Sequence, residues 1–368
     1  MNALPRYKAG NTKHAPSFKH LRGESDRIKK GTHPMKAAVY SKYGPPEVIS
    51  IKDVPVPTPG ATDVLIKIHA TTVSTGDWRA RSLEMPAGMG LIGRLVFGIT
   101  GPRNPILGTE LSGVIEAVGK HVTKFAPGDE VIAYAGGKMR AHAEFIAMPQ
   151  DAAIAPKPTN LSFEAAAAVA FGGDTALDFL RDKGNIQPGE KVLVVGASGC
   201  TGSAVVQLAK HFGAHVTGVS SAANLDLVAS LGADQVIDYT REDFATNGQH
   251  YDIIVDTTAT APWSRVRNSL TPTGRFLMIS GSLGDMLRAV FVSRKNGRKL
   301  VPGVATGSAE NLRFLVQLVE AGHFKPLIDR SYPLDQIVAA HAHVDTGRKK
   351  GSVVISIVAE FAKKRSAV

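Results

Sequence analysis

The chain of 368 residues holds a single cysteine, Cys200. That excludes an internal disulfide and any multi-cysteine zinc cluster, and it agrees with a reducing compartment. No run of about 20 apolar residues occurs, so no membrane-spanning helix is expected. The amino end lacks the apolar core of a secretory signal, and no internal repeats appear. The net charge of +11 lacks the distribution of a nucleic-acid-binding surface. Residues 1–34 carry +6 and Lys363, Lys364 and Arg365 a further +3, which leaves +2 for everything between. The basicity sits in the tails, and nucleic acid is not the expected partner. Residues 1–34 have no apolar periodicity and read as a disordered tail before a natural start at Met35, with a basic transit peptide, or a tail that contacts nucleic acid or an anionic membrane, as alternatives, and with 362–368 as a second basic tail.

What is present centres on Lys191–Ser221, KVLVVGASGCTGSAVVQLAKHFGAHVTGVSS. Val192–Val195 is an unbroken apolar run, as in a strand covered on both faces of a parallel sheet. A glycine-rich turn follows through Gly196, Ala197, Ser198, Gly199, Cys200, Thr201 and Gly202. Val205, Leu208, Ala209 and Phe212 then recur at helical spacing, and His215–Ser220 reads as the next strand. Strand, turn, helix and strand make one βαβ unit. The turn delivers the chain into a helix amino end, where unpaired N–H groups and the dipole favour an anion. Gly199 lets the backbone approach a pyrophosphate and Gly202 lets the helix pack close to the strand. Ala197 replaces the usual first glycine of the dinucleotide fingerprint. At the end of the second strand stand Val219, Ser220 and Ser221, with no Asp or Glu to hold a ribose 2′-hydroxyl. Nothing there repels a 2′-phosphate, so NADP(H) is favoured over NAD(H), although no arginine stands beside the serines.

Two domains suit the length. Lys36–Tyr40, Val48–Lys52, Val64–Ala70, Gly108–Gly119, Glu130–Ala133 and Ala143–Met148 are short β-rich runs between turn signals, which makes residues 35–161 an all-β unit. A helix is expected from Ser162 or Thr159 through SFEAAAAVAFGG. Strands at 192–196, 215–220, 235–239, 252–256 and 276–281 alternate with helices, as in a doubly wound sheet. From about 304 the pattern changes: a helix over 309–321, a short helix over Pro333–His343 and an alternating strand Ser352–Ile357. Residues 83–101, LEMPAGMGLIGRLVFGITG, are apolar but broken by glycines. They read as a helix and loop over the β unit, with a lid over an apolar substrate pocket, or a membrane-contacting segment, as alternatives.

Four stretches carry a resemblance: MKAAVYSKYGPPEVISI at 35–51, LGTELSGVIEAVGKHVTKFAPGDEV at 107–131, VLVVGASGCTGSAVVQLAK at 192–210 and PLIDRSYPLDQIVAAHAHVDTGRKKGSVVI at 326–355. They resemble the medium-chain dehydrogenase/reductases, in particular the zinc-free quinone oxidoreductase and ζ-crystallin-like branch. TTVSTGDWRARS is similar to bacterial proteins described as NAD(P)-dependent alcohol dehydrogenases. The resemblance implies an α/β chain with a GroES-like β domain, split in sequence into 35–161 and 304–361, and an inserted Rossmann domain at 162–303. It implies an active site in the cleft between them and a homo-oligomer, a dimer, in the cytoplasm.

In zinc alcohol dehydrogenases the segments matching VSTGD, GTE and AFGGDT supply Cys, His and Cys. Here those places hold Ser74, Thr109 and Phe171, none a zinc ligand, so no metal is expected. His341 and His343, two apart on a helix, face different ways. A simple ketone reduced to an alkoxide needs a Lewis acid or strong donor, whereas a quinone or enone spreads the charge. The expected substrate is therefore a quinone or α,β-unsaturated carbonyl, with an alcohol dehydrogenase or a non-catalytic NADPH-binding module as alternatives. Ser74 and Asp77 are the candidate catalytic residues. Asp77 has a buried structural role as its alternative, and Glu110 reads as orienting its loop. No tyrosine follows Asp77, where Trp78 and Arg79 stand, so solvent can serve as proton donor. The resemblance places Thr175 beside the nicotinamide ribose and pyrophosphate, Tyr239 near the adenosine phosphate and Asn224 beside Ser221. Thr257 and Gly281 follow later strands at their carboxyl ends, where ligands of open α/β sheets bind.

Overall fold

The computed structural model describes residues 34–295 and 297–358. The tails expected at 1–34 and 362–368 lie outside the described residues, apart from Pro34.

Strands β1 (Pro34–Tyr40) and β2 (Ile49–Pro55) form an antiparallel ribbon. After it come β3 (Asp63–Val73), β4 (Glu110–Val118), β5 (Glu130–Tyr134), β6 (Phe145–Pro149) and β7 (Ile154–Pro156). The side chains of β3 alternate between two cores, as a strand's two-residue period requires. Val64, Ile66 and Ile68 join Leu111, Ile115 and Val131, while Leu65 turns to Met35 and Ala37 of the ribbon.

The chain then builds a second sheet from β8 (Lys191–Val195), β9 (His215–Ser220), β10 (Gln235–Asp238), β11 (Tyr251–Asp256), β12 (Leu270–Ile279) and β13 (Lys299–Gly303). Its order, β10-β9-β8-β11-β12-β13, is parallel throughout. This is the doubly wound dinucleotide-binding order, with the reversal beside β8. The apolar run of β8 is explained by its position: Val192 and Val194 enter one core, Leu193 and Val195 the opposite one. Finally β14 (Ile328–Pro333) and β15 (Ser352–Ser356) return to the first sheet, where β15 pairs with β3 in the order β14-β15-β3-β4-β5-β7 and β6 pairs with β3. The chain is thus an α/β protein in which a mostly antiparallel β unit, closed by the returning β14 and β15, carries an inserted parallel, doubly wound sheet.

Three local expectations change. The helix expected through 162–173 is two helices, Phe163–Ala167 and Ala170–Leu177, parted near Ala168. A run of alanines carries no boundary signal. The break lets the first helix pack on β3 and β4 and the second turn toward the helix Cys200–His211. β12 runs Leu270–Ile279 rather than 276–281, so Gly281 lies beyond its end. The sixth strand, β13, was not expected; its Pro302 is tolerated because β13 is at the sheet edge.

Candidate active site

The turn after β8 is shaped by close backbone approach. Gly196 has φ +81°, and a Cβ there would sit 2.4 Å from Thr258 Cγ2. At Gly202 a Cβ would lie 2.0 Å from the Gly196 carbonyl oxygen, so only glycine lets the helix Cys200–His211 start this near the strand. Gly199 differs: its Cβ would meet nothing nearer than Gly196 O at 3.4 Å. The space beside Gly199 is open, at the amino end of a helix whose first N–H groups lack intrahelical partners.

Four polar residues gather beside the turn. Ser198 Oγ and Ser220 Oγ are 2.9 Å apart. Asn224 Nδ2 donates to Ser198 Oγ at 3.2 Å and to Ser221 Oγ at 3.3 Å. Asn224 Oδ1 is buried with no partner among the described residues, an acceptor available to a ribose hydroxyl. Thr257 Oγ1 donates to Val195 O at 2.9 Å, at the carboxyl end of β11. Tyr239 N–H donates to Ser220 O at 3.2 Å, but the ring is 61% exposed and touches the group only through its backbone. Gly281 is set apart: a Cβ there would meet Pro302 Cβ at 2.8 Å, so its demand is packing against β13.

The facing side comes from the β unit. Ser74 caps the helix Thr75–Ser82: its Oγ accepts the Asp77 N–H at 3.2 Å, and Asp77 Oδ2 accepts the Ser74 N–H at 2.8 Å and Oγ–H at 2.6 Å. Asp77 Oδ1 also accepts the Gly108 N–H at 2.7 Å. Thr109 Oγ1 donates to Ser74 Oγ at 3.1 Å. Asp77 is therefore enclosed by its cap and the Gly108 loop, and the Ser74 hydroxyl proton is held on Asp77 in this arrangement. Glu110, fully buried, accepts from Thr72 Oγ1 at 2.5 Å through Oε1 and from the Phe171 N–H at 2.6 Å through Oε2. Burial pushes its carboxyl up to about 7, against the lowering effect of those two hydrogen bonds. Glu110 thereby fixes the start of the helix Ala170–Leu177, which carries Thr175; the Thr175 hydroxyl donates to Phe171 O at 2.7 Å.

The two sides meet through contacts with no signal in the sequence. Gly172 brings its helix against the turn, since a Cβ would lie 2.9 Å from both Cys200 O and Cys200 Sγ. Gly351 donates its N–H to Ser198 O at 2.9 Å, and Cys200 Sγ lies 3.2 Å from Ser352 Oγ. Gly351, at φ +73°, could have been suspected as a turn glycine, but not as a neighbour of residue 198. Burial raises the Cys200 thiol, the group that Ser352 answers.

The places that would need zinc ligands hold Ser74, Thr109 and Phe171, and these side chains do not fit the metal. Among the described residues no three His, Cys, Asp or Glu come together as a metal site. His341 is buried beside His142, ring centroids 5.6 Å apart, and burial holds it well below the usual imidazole range. His343 instead meets Asp329 at 2.5 Å, so the two histidines do face different ways. Residues 83–101 supply one helix, Gly90–Phe97, with Leu91, Leu95, Val96 and Ile99 exposed. A surface groove of about 350 Å³ near Gln235, Glu242 and Gln249 lies at edge strand β10, away from this chemistry.

Residues 60–158 match the alcohol dehydrogenase GroES-like domain, and residues 231–355 match a family described as zinc-binding dehydrogenase. The chain is 34% identical over 343 residues to the 2-methylene-furan-3-one reductase of Solanum lycopersicum, covering 87% of this chain and 79% of that protein. It is 32% identical over 344 residues to the chloroplast envelope quinone oxidoreductase homolog of Arabidopsis thaliana, covering 87% and 98%. Among solved structures, the quinone oxidoreductase of Coxiella burnetii superimposes with a TM-score of 0.79 at 27% identity, covering 88% of this chain and all (100%) of that one.

Proposed function

Because the chain belongs to the medium-chain dehydrogenase/reductase superfamily, in its quinone-oxidoreductase-like branch, we propose that it is an NADP(H)-dependent reductase. It passes hydride to a quinone or an α,β-unsaturated carbonyl without zinc. The observation that carries this reading is the Ser74–Thr109 hydroxyl pair standing where the zinc enzymes place metal ligands. Two hydroxyls can steady the dispersed charge of an enolate or phenolate, whereas the localised charge of an alkoxide calls for a Lewis acid or a stronger donor.

Bound NADPH supplies the hydride. The turn Gly199–Gly202 and the helix amino end would hold its pyrophosphate, and Ser220, Ser221 and Asn224 would hold its adenosine ribose and 2′-phosphate. Thr175 and Thr257 would hold the nicotinamide end. The Ser74 hydroxyl, relayed by Thr109, can turn from Asp77 to the acceptor oxygen, and Asp77 holds the loop that presents it. We assign residues 35–161 and 304–361 to the unit that takes the acceptor and 162–303 to the unit that takes the coenzyme. A cytoplasmic dimer is the proposed working form.

The test is turnover of NADPH by the purified protein, with a chelator present, against a quinone, an enone and a simple ketone. Reduction of the first two and not the third is expected. Turnover of the ketone alone, or loss of all activity on chelation, contradicts the reading.

A further inference from the structure

Among the described residues twelve large apolar side chains are exposed, and nine of them lie in two short stretches. One is the helix Gly90–Phe97 with the residues just after it, where Leu91 is 71% exposed and Ile99 60%. The other is the helix Leu283–Lys295, where Leu287 is 61% exposed and Phe291 72%. The two stretches meet: Leu283 donates its N–H to Ala87 O at 3.2 Å, and a Cβ at Gly88 would lie 3.0 Å from Leu283 Cβ. From that junction Leu283, Leu287, Val290 and Phe291 follow at helical spacing, so they form one stripe. The other face of the same helix serves the fold, since Ala289 and Val292 pack on the core that holds Phe276 and Leu300. Single exposed apolar residues need no partner, but a cluster drawn from two parts of the chain does.

Charge says which partner. Residues 84–103 hold Arg94 and Arg103 against Glu84, a net +1. Residues 283–299 hold Arg288, Arg294, Lys295, Arg298 and Lys299 against Asp285, a net +4. The chain between its basic tails carries +2 in all, so with +5 in these two stretches the remainder carries −3. The positive charge of the folded part is therefore gathered where its apolar side chains are exposed. A second copy meeting this patch about a two-fold axis would set +5 against +5, which disfavours self-association there. An anionic bilayer answers both features, because apolar side chains enter at the headgroup boundary while Lys and Arg meet lipid phosphates. Among the described residues no helix is long and apolar enough to cross a membrane, so the contact lies in the plane of the interface. We propose that residues 90–99 and the helix Leu283–Lys295 together dock the folded protein on an anionic lipid surface. Neither the exposed cluster nor its charge depends on the coenzyme or the acceptor.

The test mixes the whole chain with vesicles of phosphatidylcholine alone, or with about 30% phosphatidylserine, and reads the bound fraction by flotation. Binding to the mixed vesicles only is expected, weakening as salt rises. The basic tails would also adsorb to such vesicles, so three variants single out the patch. In the double variant Leu91→Asn, Phe291→Asn every charge is kept, and the partition coefficient is expected to fall at least about tenfold, the scale of two apolar side chains left in water. In the double variant Arg94→Gln, Arg288→Gln it is expected to fall at least about fivefold. In Phe291→Trp, mixed vesicles with brominated acyl chains should quench tryptophan fluorescence beyond the quenching seen in wild type. All four side chains are exposed, and urea unfolding checks that each variant folds. No binding to the mixed vesicles, unchanged partition in either double variant, or no added quenching at residue 291 overturns the proposal. Unchanged partition with a smaller particle in light scattering of Leu91→Asn, Phe291→Asn would assign the patch to contact between copies and also overturn it.

Discussion

Burial between Thr72 and the Phe171 amide raises the Glu110 carboxyl from its ordinary 4.5 to about 7. The folded chain therefore binds this proton more tightly than the unfolded chain. Its contribution to stability is complete below about 4.5 and is lost as pH rises through about 7. A shift of that size corresponds to a loss of up to about 3 kcal/mol. His341 acts in the opposite sense: with its folded value lowered, stability falls as pH drops through its ordinary 6.5. The comparison that isolates Glu110 is wild type against Glu110→Gln, whose amide oxygen can accept the Phe171 N–H while its NH2 donates to the Thr72 hydroxyl, reversing that bond. Urea unfolding at intervals from pH 5 to 8 should show wild type losing stability relative to the variant as pH rises. Parallel curves would contradict the assignment. Sequence spacing could place Glu110 in GTELSG but could not show that its second oxygen reaches residue 171, because only the fold brings the two together.

At the scale of elements, the coenzyme unit was the most legible part. An apolar run, a glycine turn and a helical period each follow from local sterics and burial, and β8, the helix Cys200–His211 and β9 appear where those signals lie. The β side was less legible in detail. Thr75–Ser82 has no apolar period to announce a helix; its start depends on the reciprocal Ser74–Asp77 cap, a motif that the four residues Ser74–Asp77 do contain. The divided helix at Ala168 and the edge strand β13 depend on what packs against them, and that is not written locally. Two glycines of the turn separate packing from ligand space. Gly202→Ala should cost about 3 kcal/mol in urea unfolding, because its Cβ would press on a backbone oxygen that cannot turn away. Unchanged stability would mean that helix and strand are further apart than described here.

Across the whole molecule, the β unit is assembled from chain segments far apart in sequence, and an ion pair between a buried arginine and a partly exposed aspartate joins them. Arg81 ties the helix Thr75–Ser82 and the Gly44 turn to Asp345 at the end of the helix Ile337–Asp345. No sequence pattern marks an arginine with 0% exposure or names a partner 264 residues away. Asp345→Ala would leave that cation without its counter-charge, with water able to reach the gap because Asp345 is partly exposed, a loss of about 1.5–3 kcal/mol. Thermal or urea unfolding checks it, and a change within about 0.5 kcal/mol, the range of ordinary surface substitutions, would contradict the role. The return segment also closes the joint between the two units, through Gly351 on Ser198 and Ser352 on Cys200.

The central claim, a nicotinamide coenzyme seated on the turn after β8, is tested most directly by calorimetric titration of NADPH and NADH into wild type and Gly199→Val. Residue 199 has φ −76° and ψ 174°, which valine adopts readily, and open space beside its Cβ position, so the variant should fold and fill the place of the pyrophosphate. The account predicts one NADPH per wild-type chain, bound more tightly than NADH, and at least about tenfold weaker binding in the variant. No uptake of either coenzyme by wild type, or equal affinity in both proteins, would contradict it.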